Sequence, residues 1–247
     1  MESKTTAIIT GGGSGIGLAI ASRFVKAGIR TIIIGRDQLK LAAAQQELGD
    51  DCHPITHDLN ELSTLPNLVR QIISRFGQID ILVNNAGINM KKDFQEVTDE
   101  EFDNILHTNV KALFALTREV VKTMLPRRKG NIINISSMAS QYGIPKVIAY
   151  SASKAAIEGM TRAMAVELSP EGIVVNCIAP GFIATDMSAK ALNGDPERKQ
   201  KVLARTPMGR LGEPGEIGNV ALFLASDQAS YLTGVVLPVD GGNSIGF

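Results

Sequence analysis

The sequence contains no tryptophan, only two cysteines and three histidines, and no excess of either charge. Its 25 basic and 25 acidic residues balance, which argues against a protein held to phosphate backbones by a basic face although a local basic patch stays open, and no nucleic-acid partner is expected. The histidines and cysteines show no metal-ligand spacing, so no metal site is predicted. No apolar run could span a membrane, and Met1 leads into a strand-like segment without a signal peptide. We therefore expect a cytoplasmic protein without a membrane partner.

Seven strand-like segments alternate with helical patterns along the 247 residues. Most are continuous apolar runs, which are typical of strands buried on both faces of a parallel sheet. The alternation predicts an α/β fold: one doubly wound domain over residues 1–247, with a parallel seven-stranded sheet and helices on both faces. Cys52 and Cys177 accompany two of the runs and are expected to be buried, reduced thiols. The expected strands are Thr6–Thr10, Thr31–Ile34, His53–His57, Ile79–Asn84, Gly130–Ser136, Ile173–Ala179 and Val235–Val239.

Helix-start signals support this pattern at three places. Asp37 is placed to cap a helix over Gln38–Leu48, and Thr98 with Glu101 matches a capping box. Pro214 suits the first turn of the last long helix.

The stretch Ala184–Gly212 has no clear pattern and contains the strong breaker Asn193-Gly194-Asp195-Pro196. We predict a mobile loop there, which would form a substrate lid if it lies over the strand ends. A plain surface insertion is the alternative.

A glycine-rich turn, Thr10 to Gly17, lies between the first strand and a helix. Glycine lets the backbone approach a pyrophosphate, and the helix start offers free N–H groups and a positive dipole end. The spacing of Gly11, Gly15 and Gly17 is one residue wider than the standard dinucleotide fingerprint. Since no Walker lysine–serine pair follows, phosphoryl transfer is not indicated.

Tyr150 and Lys154, four residues apart, share one face of a predicted helix. A nearby ammonium favours a phenolate, so we expect Lys154 to lower the pKa of Tyr150, which would suit an acid/base role. Ser137 follows the fifth strand, where it could hold a substrate oxygen; its neighbour Ser136 is the structural alternative. Asn109 interrupts an apolar helical pattern, and a purely structural role is also open for it.

Together, these motifs resemble the short-chain dehydrogenase/reductase family. The order is Thr10-Gly-x-x-x-Gly-x-Gly, Asn84-Asn-Ala-Gly, Asn109, Ser137, Tyr150-x-x-x-Lys154 and Pro180-Gly181, which covers nearly the whole chain. The resemblance implies a Rossmann-type fold and hydride transfer between a nicotinamide cofactor and a ketone. Tyr150 would give the proton, Ser137 would hold the oxygen, Lys154 would also bind the ribose, and Asn109 would hold a water in a proton relay.

The cofactor is expected to be NADP(H) rather than NAD. Gly35 stands where NAD-specific relatives carry a carboxylate, and Arg36 follows, where a guanidinium suits a 2′-phosphate. Asp37 could reach the ribose instead, but we interpret it as the helix cap. By resemblance, Asp58 would hold the adenine amino group. The full cofactor-binding set is Gly11, Gly13, Ser14, Gly15, Ile16, Gly17, Arg36, Asp58, Leu59, Asn85, Ala86, Gly87, Tyr150, Lys154, Pro180, Gly181, Ile183 and Thr185.

Two kinds of substrate compete. The Asn84–Asn89 segment is similar to gluconate 5-dehydrogenases, which favours a sugar acid, a polyol or a small ketone. The alternative is a 3-oxoacyl thioester on a carrier protein; such relatives present arginines where Asn131 and Glu171 stand here, although Arg127-Arg128-Lys129 lies nearby. A non-catalytic NADP-binding sensor is a second alternative.

The resemblance also implies a homotetramer. The expected pocket residues are Asn89, Met90, Met138, Gln141, Tyr142, Ile144, Val147, Phe182 and Met187.

Overall fold

Seven parallel strands form one sheet in the order β3-β2-β1-β4-β5-β6-β7. The structure is a computed structural model that describes residues 4–185, 188–189 and 196–246. The predicted fold class is confirmed, and no strand end differs from its predicted position by more than two residues. The strands are β1 (Thr6–Thr10), β2 (Arg30–Gly35), β3 (Cys52–Thr56), β4 (Ile81–Asn84), β5 (Gly130–Ile135), β6 (Ile173–Pro180) and β7 (Val236–Val239).

Helices cover both faces of the sheet because side chains alternate along each buried strand. On β1, Ile9 packs with helices α1, α2 and α8 on one face, whereas Ile8 packs with α3, α5 and α6 on the other. The helices are α1 (Gly15–Lys26), α2 (Gln38–Leu48), α3 (Leu65–Phe76), α4 (Asp99–Leu106), α5 (Ala112–Met124), α6 (Ile148–Leu168), α7 (Pro196–Arg205) and α8 (Pro214–Leu224).

The predicted helix starts are present. The Asp37 carboxylate accepts hydrogen bonds from the backbone N–H groups of Leu39 and Lys40, at 3.1 Å each. Thr98 and Glu101 form the reciprocal capping box, and Pro214 stands in the first turn of α8. These local signals fix where α2, α4 and α8 begin, and so where the preceding loops end.

The segment 184–212 departs from its prediction. The segment leaves and rejoins the body at one place, since Ile183 bridges to Gly212, and helix α7 takes up 10 of its residues. The expectation of a patternless loop is therefore wrong for Pro196–Arg205. The helix has few apolar residues, with Val202 buried, so it gives little periodic signal. Residues 186–187 and 190–195, which include Met187 and Asn193-Gly194-Asp195, lie outside the described residues.

Both cysteines are free and buried, as predicted. Burial raises the pKa of Cys52 to about 11 and that of Cys177 to about 12, so both thiols are protonated at neutral pH. None of the described helices has the length and apolar character that a membrane span needs. Within the described ranges, no cluster of His, Cys, Asp and Glu could hold a metal ion.

Candidate active site

A cavity of about 350 Å³ opens beyond the carboxyl ends of β1, β4, β5 and β6. Parallel strands bring residues that are distant in sequence to this one edge of the sheet. Most of the predicted site residues line the cavity; Asn109, Gly13, Gly17, Arg36, Asp58 and Leu59 lie outside its wall. The lining members of the predicted set are Gly11, Ser14, Gly15, Ile16, Asn85, Ala86, Gly87, Ser137, Tyr150, Lys154, Pro180, Gly181, Ile183 and Thr185.

The glycine-rich turn has the geometry of an anion site. Gly11 has φ +66°, a conformation that side chains disfavour. Gly17 lies so close to the turn that a β-carbon there would be 2.2 Å from the Gly11 carbonyl oxygen. The Ser14 side chain does not cap α1, so it takes up none of the first backbone N–H groups of this twelve-residue helix. Gly15 and Ile16, the first two residues of the helix, line the cavity. The turn therefore fits a dinucleotide pyrophosphate.

Thr10 joins this turn to the segment after β4. Its hydroxyl accepts hydrogen bonds from the backbone N–H groups of Asn85 and Ala86, at 3.0 Å each. In return, the Asn85 side-chain amide donates to the Thr10 carbonyl at 3.0 Å. Although Thr10 belongs to the motif, no sequence pattern indicates that its side chain holds the two strand ends together.

Arg36 and Asp58 meet at the ends of β2 and β3. The Arg36 Nη1 atom lies 3.8 Å from Asp58 Oδ2, and the arginine side chain is 65% exposed. The Oδ1 atom of Asp37 caps α2, and the largely exposed Arg36 side chain stands beside it at the strand tip. Leu59 is partly buried against the core beneath them.

Three of the four predicted catalytic side chains converge on the cavity. Lys154 Nζ donates to the carbonyl of Ile135, the last residue of β5, at 2.8 Å, and lies 5.5 Å from the centre of the Tyr150 ring. The Ser137 hydroxyl accepts from the Ala139 N–H at 3.2 Å and is hydrogen-bonded to Tyr150. Its neighbour Ser136 is turned into the core, as expected for a structural serine.

Burial sets the protonation of this pair. It raises the pKa of Tyr150, and the hydrogen bond with Ser137 lowers it by less. Burial lowers the pKa of Lys154 to about 8. The net shift of the Tyr150 pKa is therefore upward, opposite to the lowering expected from Lys154, because desolvation dominates the shifts of both groups.

Asn109 is fully buried in a π-helical turn, His107–Lys111, between α4 and α5. Its side chain accepts from the Ile88 N–H at 2.8 Å and donates to the Ile88 carbonyl at 2.9 Å and to the Ser153 hydroxyl at 3.0 Å. These contacts hold the segment after β4 against α6. The side-chain amide of Asn109 is thus engaged in positioning these two segments.

The segment after β6 closes the cavity from the other side. Thr185 reaches back to the glycine turn, since a β-carbon at Gly15 would lie 3.5 Å from Thr185 Cγ2. Ser188, which was not predicted, orders this segment by donating to the Ile183 carbonyl at 2.5 Å and accepting from the Thr185 N–H at 3.0 Å.

Tyr142 forms part of the remaining wall. Its hydroxyl contacts Asn243 Oδ1 from the C-terminal turn, and its ring lies 4.4 Å beneath the Arg205 guanidinium at the end of α7. No pattern in the sequence indicates either contact. Of the other expected pocket residues, Met90 and Gln141 are outside the cavity. Those that line it are Asn89, Met138, Tyr142, Ile144, Val147 and Phe182.

The chain was compared with known proteins. A family model described as "Enoyl-(Acyl carrier protein) reductase" matches residues 11–244. A 3-oxoacyl-[acyl-carrier-protein] reductase of Thermotoga maritima is 38% identical over 239 residues, which cover 95% of this chain and 96% of that protein.

Solved structures are also similar to this chain over nearly its whole length. A candidate gluconate dehydrogenase from Agrobacterium tumefaciens superposes with a TM-score of 0.95 at 35% identity, over 98% of this chain and 97% of that one. A variant of actinorhodin polyketide ketoreductase with NADPH superposes with a TM-score of 0.94 at 32% identity, over 99% of both chains.

The buried lysine predicts a specific dependence of stability on pH. Because burial lowers the pKa of Lys154 from 10.5 to about 8, the folded cofactor-free protein binds fewer protons than the unfolded chain between these values. The free energy of unfolding, measured by urea denaturation, should rise for the wild type relative to Lys154→Met by about 3 kcal/mol from pH 8 to pH 10.5.

The exposed Lys129 provides the control. Lys129→Met should show no such divergence from the wild type. Parallel pH profiles for wild type and Lys154→Met would contradict the buried, destabilised ammonium.

Proposed function

Because the chain belongs to the short-chain dehydrogenase/reductase family and is an oxidoreductase acting on CH–OH groups, we propose that it interconverts a ketone and a secondary alcohol with NADP(H). The observation that carries this proposal is the convergence of Ser137, Tyr150 and Lys154 on the cavity that also contains the glycine turn. We propose these three as catalytic residues, with Asn109 holding the segment behind them.

The residues act on the substrate oxygen. When bound, the nicotinamide supplies the hydride for the carbonyl carbon. Tyr150 donates its hydroxyl proton to the carbonyl oxygen, and its raised pKa keeps that proton in place at neutral pH. The Ser137 hydroxyl can donate to the same oxygen while it accepts from the Ala139 N–H. Lys154, against the Tyr150 ring, stabilises the tyrosinate that proton transfer leaves.

The proposed cofactor preference depends on Arg36. Asp37 would be the NAD-type ribose ligand, but its Oδ1 atom already accepts from two backbone N–H groups of α2, which orients the carboxylate towards the helix. The Arg36 guanidinium, beside Asp58 and largely exposed, can turn to a 2′-phosphate. Most of the other predicted cofactor contacts follow the cavity from the glycine turn to Thr185, whereas Gly13, Gly17, Asp58 and Leu59 lie outside its wall.

The proposed substrate is a small ketone with a mainly apolar body, and a sugar acid or polyol comes second. Among the described residues that line the cavity, Lys154 is the one charged group, and it is committed to the reaction. A carboxylate substrate would therefore find no dedicated cation in that wall. The gluconate dehydrogenase similarity keeps the sugar acid as a candidate.

The carrier-bound 3-oxoacyl substrate is the alternative, supported by the similarity to the Thermotoga maritima reductase. Two of the three residues of the basic run are already paired: Arg127 with Asp80 at 2.8 Å, and Arg128 with Glu171 at 2.6 Å. These pairs reduce the positive charge available to an acidic carrier. The non-catalytic alternative is set aside because the chain is assigned to an enzyme family with its proposed catalytic side chains in place.

We propose the single domain over residues 1–247 on the alternation of strands and helices and the homotetramer on the family resemblance, and we keep the cytoplasmic location. These three properties stay predictions.

A rate comparison tests the substrate proposal. Initial rates with NADPH and with NADH are measured against an aryl ketone, 5-ketogluconate and an acetoacetyl thioester. We expect NADPH with the aryl ketone to give the highest kcat/KM, because the described wall is apolar and lacks a spare cation. Faster turnover of the thioester would favour the carrier-linked alternative, and preference for 5-ketogluconate would favour the sugar acid.

Replacing the proton donor tests the catalytic assignment. Tyr150→Phe should lower kcat on the order of 1000-fold, because the ring stays but the transferable proton is lost. The Kd of NADPH, measured by fluorescence titration, should stay within about threefold. The fully exposed Tyr231 offers a matched control, and Tyr231→Phe should leave both values unchanged. Retained turnover in Tyr150→Phe would rule out the proposed role.

Removing the guanidinium tests the cofactor preference. Arg36→Ala should lower kcat/KM for NADPH by about 10- to 100-fold, the loss of a charge-assisted hydrogen bond, and leave kcat/KM for NADH unchanged. Arg70→Ala, at an exposed position on α3, is the control. Equal losses with both cofactors, or none with either, would remove Arg36 from phosphate recognition.

A further inference from the structure

We propose that Glu158 is a positioning residue that fixes the orientation of Ser137 relative to Tyr150 and Lys154. The proposal rests on the role of Ser137 given above. Glu158 was not among the predicted site residues, and it lines no part of the cavity.

The carboxyl of Glu158 points into the core from α6. The residue is 8% exposed, and its Oε1 atom accepts hydrogen bonds from the hydroxyls of both Ser136, at 2.9 Å, and Ser140. One oxygen atom therefore holds two hydroxyls that come from the end of β5 and from the short turn after it. Burying a carboxyl costs free energy unless such bonds are made, so the contact is not incidental to the packing.

The two serines lie on either side of Ser137. Ser136 precedes it directly, and the Ser140 hydroxyl oxygen lies 2.5 Å from the Ser137 carbonyl oxygen as well as in contact with Glu158 Oε1, so its one proton is donated to either of these two acceptors. Between them, the Ala139 N–H donates to the Ser137 hydroxyl and sets its direction. The turn that presents the Ser137 hydroxyl is thus fastened at both ends to a single carboxyl oxygen.

The same helix face carries the other catalytic groups. Tyr150, Lys154 and Glu158 are spaced by four residues along α6, so their side chains project to one side. A shift of α6 would move the proton donor and the carboxyl together, and the carboxyl would move the Ser137 turn with them. The contact therefore keeps the distance between Ser137 and Tyr150 constant.

No ion pair of Glu158 occurs within the described part of the chain, so its visible bonds are those to the two hydroxyls. Cys177, on β6, lies near enough for the Glu158 charge to raise the pKa of its thiol, which is raised mainly by burial. The function we infer is therefore geometric: an acceptor oxygen at this position is needed, and its negative charge is not. A glutamine, which keeps an acceptor oxygen, should serve in its place.

Two variants separate geometry from charge. Glu158→Leu removes the acceptor and should lower kcat about 10- to 100-fold, as expected for a reacting group that is misplaced by about 1 Å. Glu158→Gln should keep kcat within about threefold. The Kd of NADPH should not change in either variant. Glu167→Gln, at an exposed position on α6, is the matched control for the helix and should behave as the wild type.

A mutant cycle tests whether Glu158 acts through Ser137. In a Ser137→Ala background, Glu158→Leu should cause no further loss of kcat, because no hydroxyl is left to position. Ser140→Ala is a milder change that should lower kcat about 3- to 10-fold in the wild-type background and should have no effect in the Ser137→Ala background. It replaces Glu158→Leu in the cycle if that variant does not fold. The substrate in these assays is whichever of the three test compounds (the aryl ketone, 5-ketogluconate or the acetoacetyl thioester) gives the highest kcat/KM.

The outcomes distinguish the two proposals. Losses that are equal in both backgrounds, or a Glu158→Gln variant as slow as Glu158→Leu, would overturn the positioning role of Glu158 alone. Full turnover by Ser137→Ala would overturn the proposed role of Ser137 itself, and this inference with it.

Discussion

The site depends on one buried contact, the hydrogen bond from Lys154 Nζ to the carbonyl of Ile135. Ile135 is the last residue of β5, so its carbonyl lies at the carboxyl-terminal end of the parallel strands, where the cavity opens. The bond joins α6 to that edge, and the contacts of Tyr150 and Glu158 lie on the same helix face. Burying the ammonium is unfavourable, as its lowered pKa shows, and the fold offsets this cost with the surrounding core.

The topology explains why these residues meet. After β3 the chain crosses back over the sheet, and β4 pairs with β1 on the side opposite to β2. The glycine turn after β1 and the segment after β4 are therefore neighbours. The Thr10 hydroxyl joins the two by its bonds to Asn85 and Ala86. Asn109 then holds Ile88 against α6 through Ser153. The phosphate side and the proton-donor side of the cavity are thus connected by short polar contacts along one edge.

Much of this arrangement could be predicted from the sequence because its signals are local. Apolar runs marked the strands, Asp37 and the Thr98 box marked helix starts, and the glycine turn marked the first strand–helix junction. The rest depends on contacts between distant segments. Helix α7 is held in part by Arg205, which donates to the Asn243 carbonyl at 2.9 Å, and no pattern within Pro196–Arg205 shows that partner. The pairing of Arg128 with Glu171 is likewise invisible before the chain is folded.

The pKa of Tyr150 shows why the four-residue spacing from Lys154 does not by itself predict the protonation of the tyrosine. Four residues on a helix place an ammonium near a phenol, and in water that would favour the phenolate. In the core, desolvation penalises both charged forms, so Tyr150 keeps its proton and the ammonium is less stable than usual. This state suits reduction, in which the phenol must arrive protonated. Once the proton has left, the tyrosinate and the ammonium are charges of opposite sign in a medium of low polarity, and each stabilises the other. The burial that opposes either charge alone therefore favours the pair that proton transfer creates.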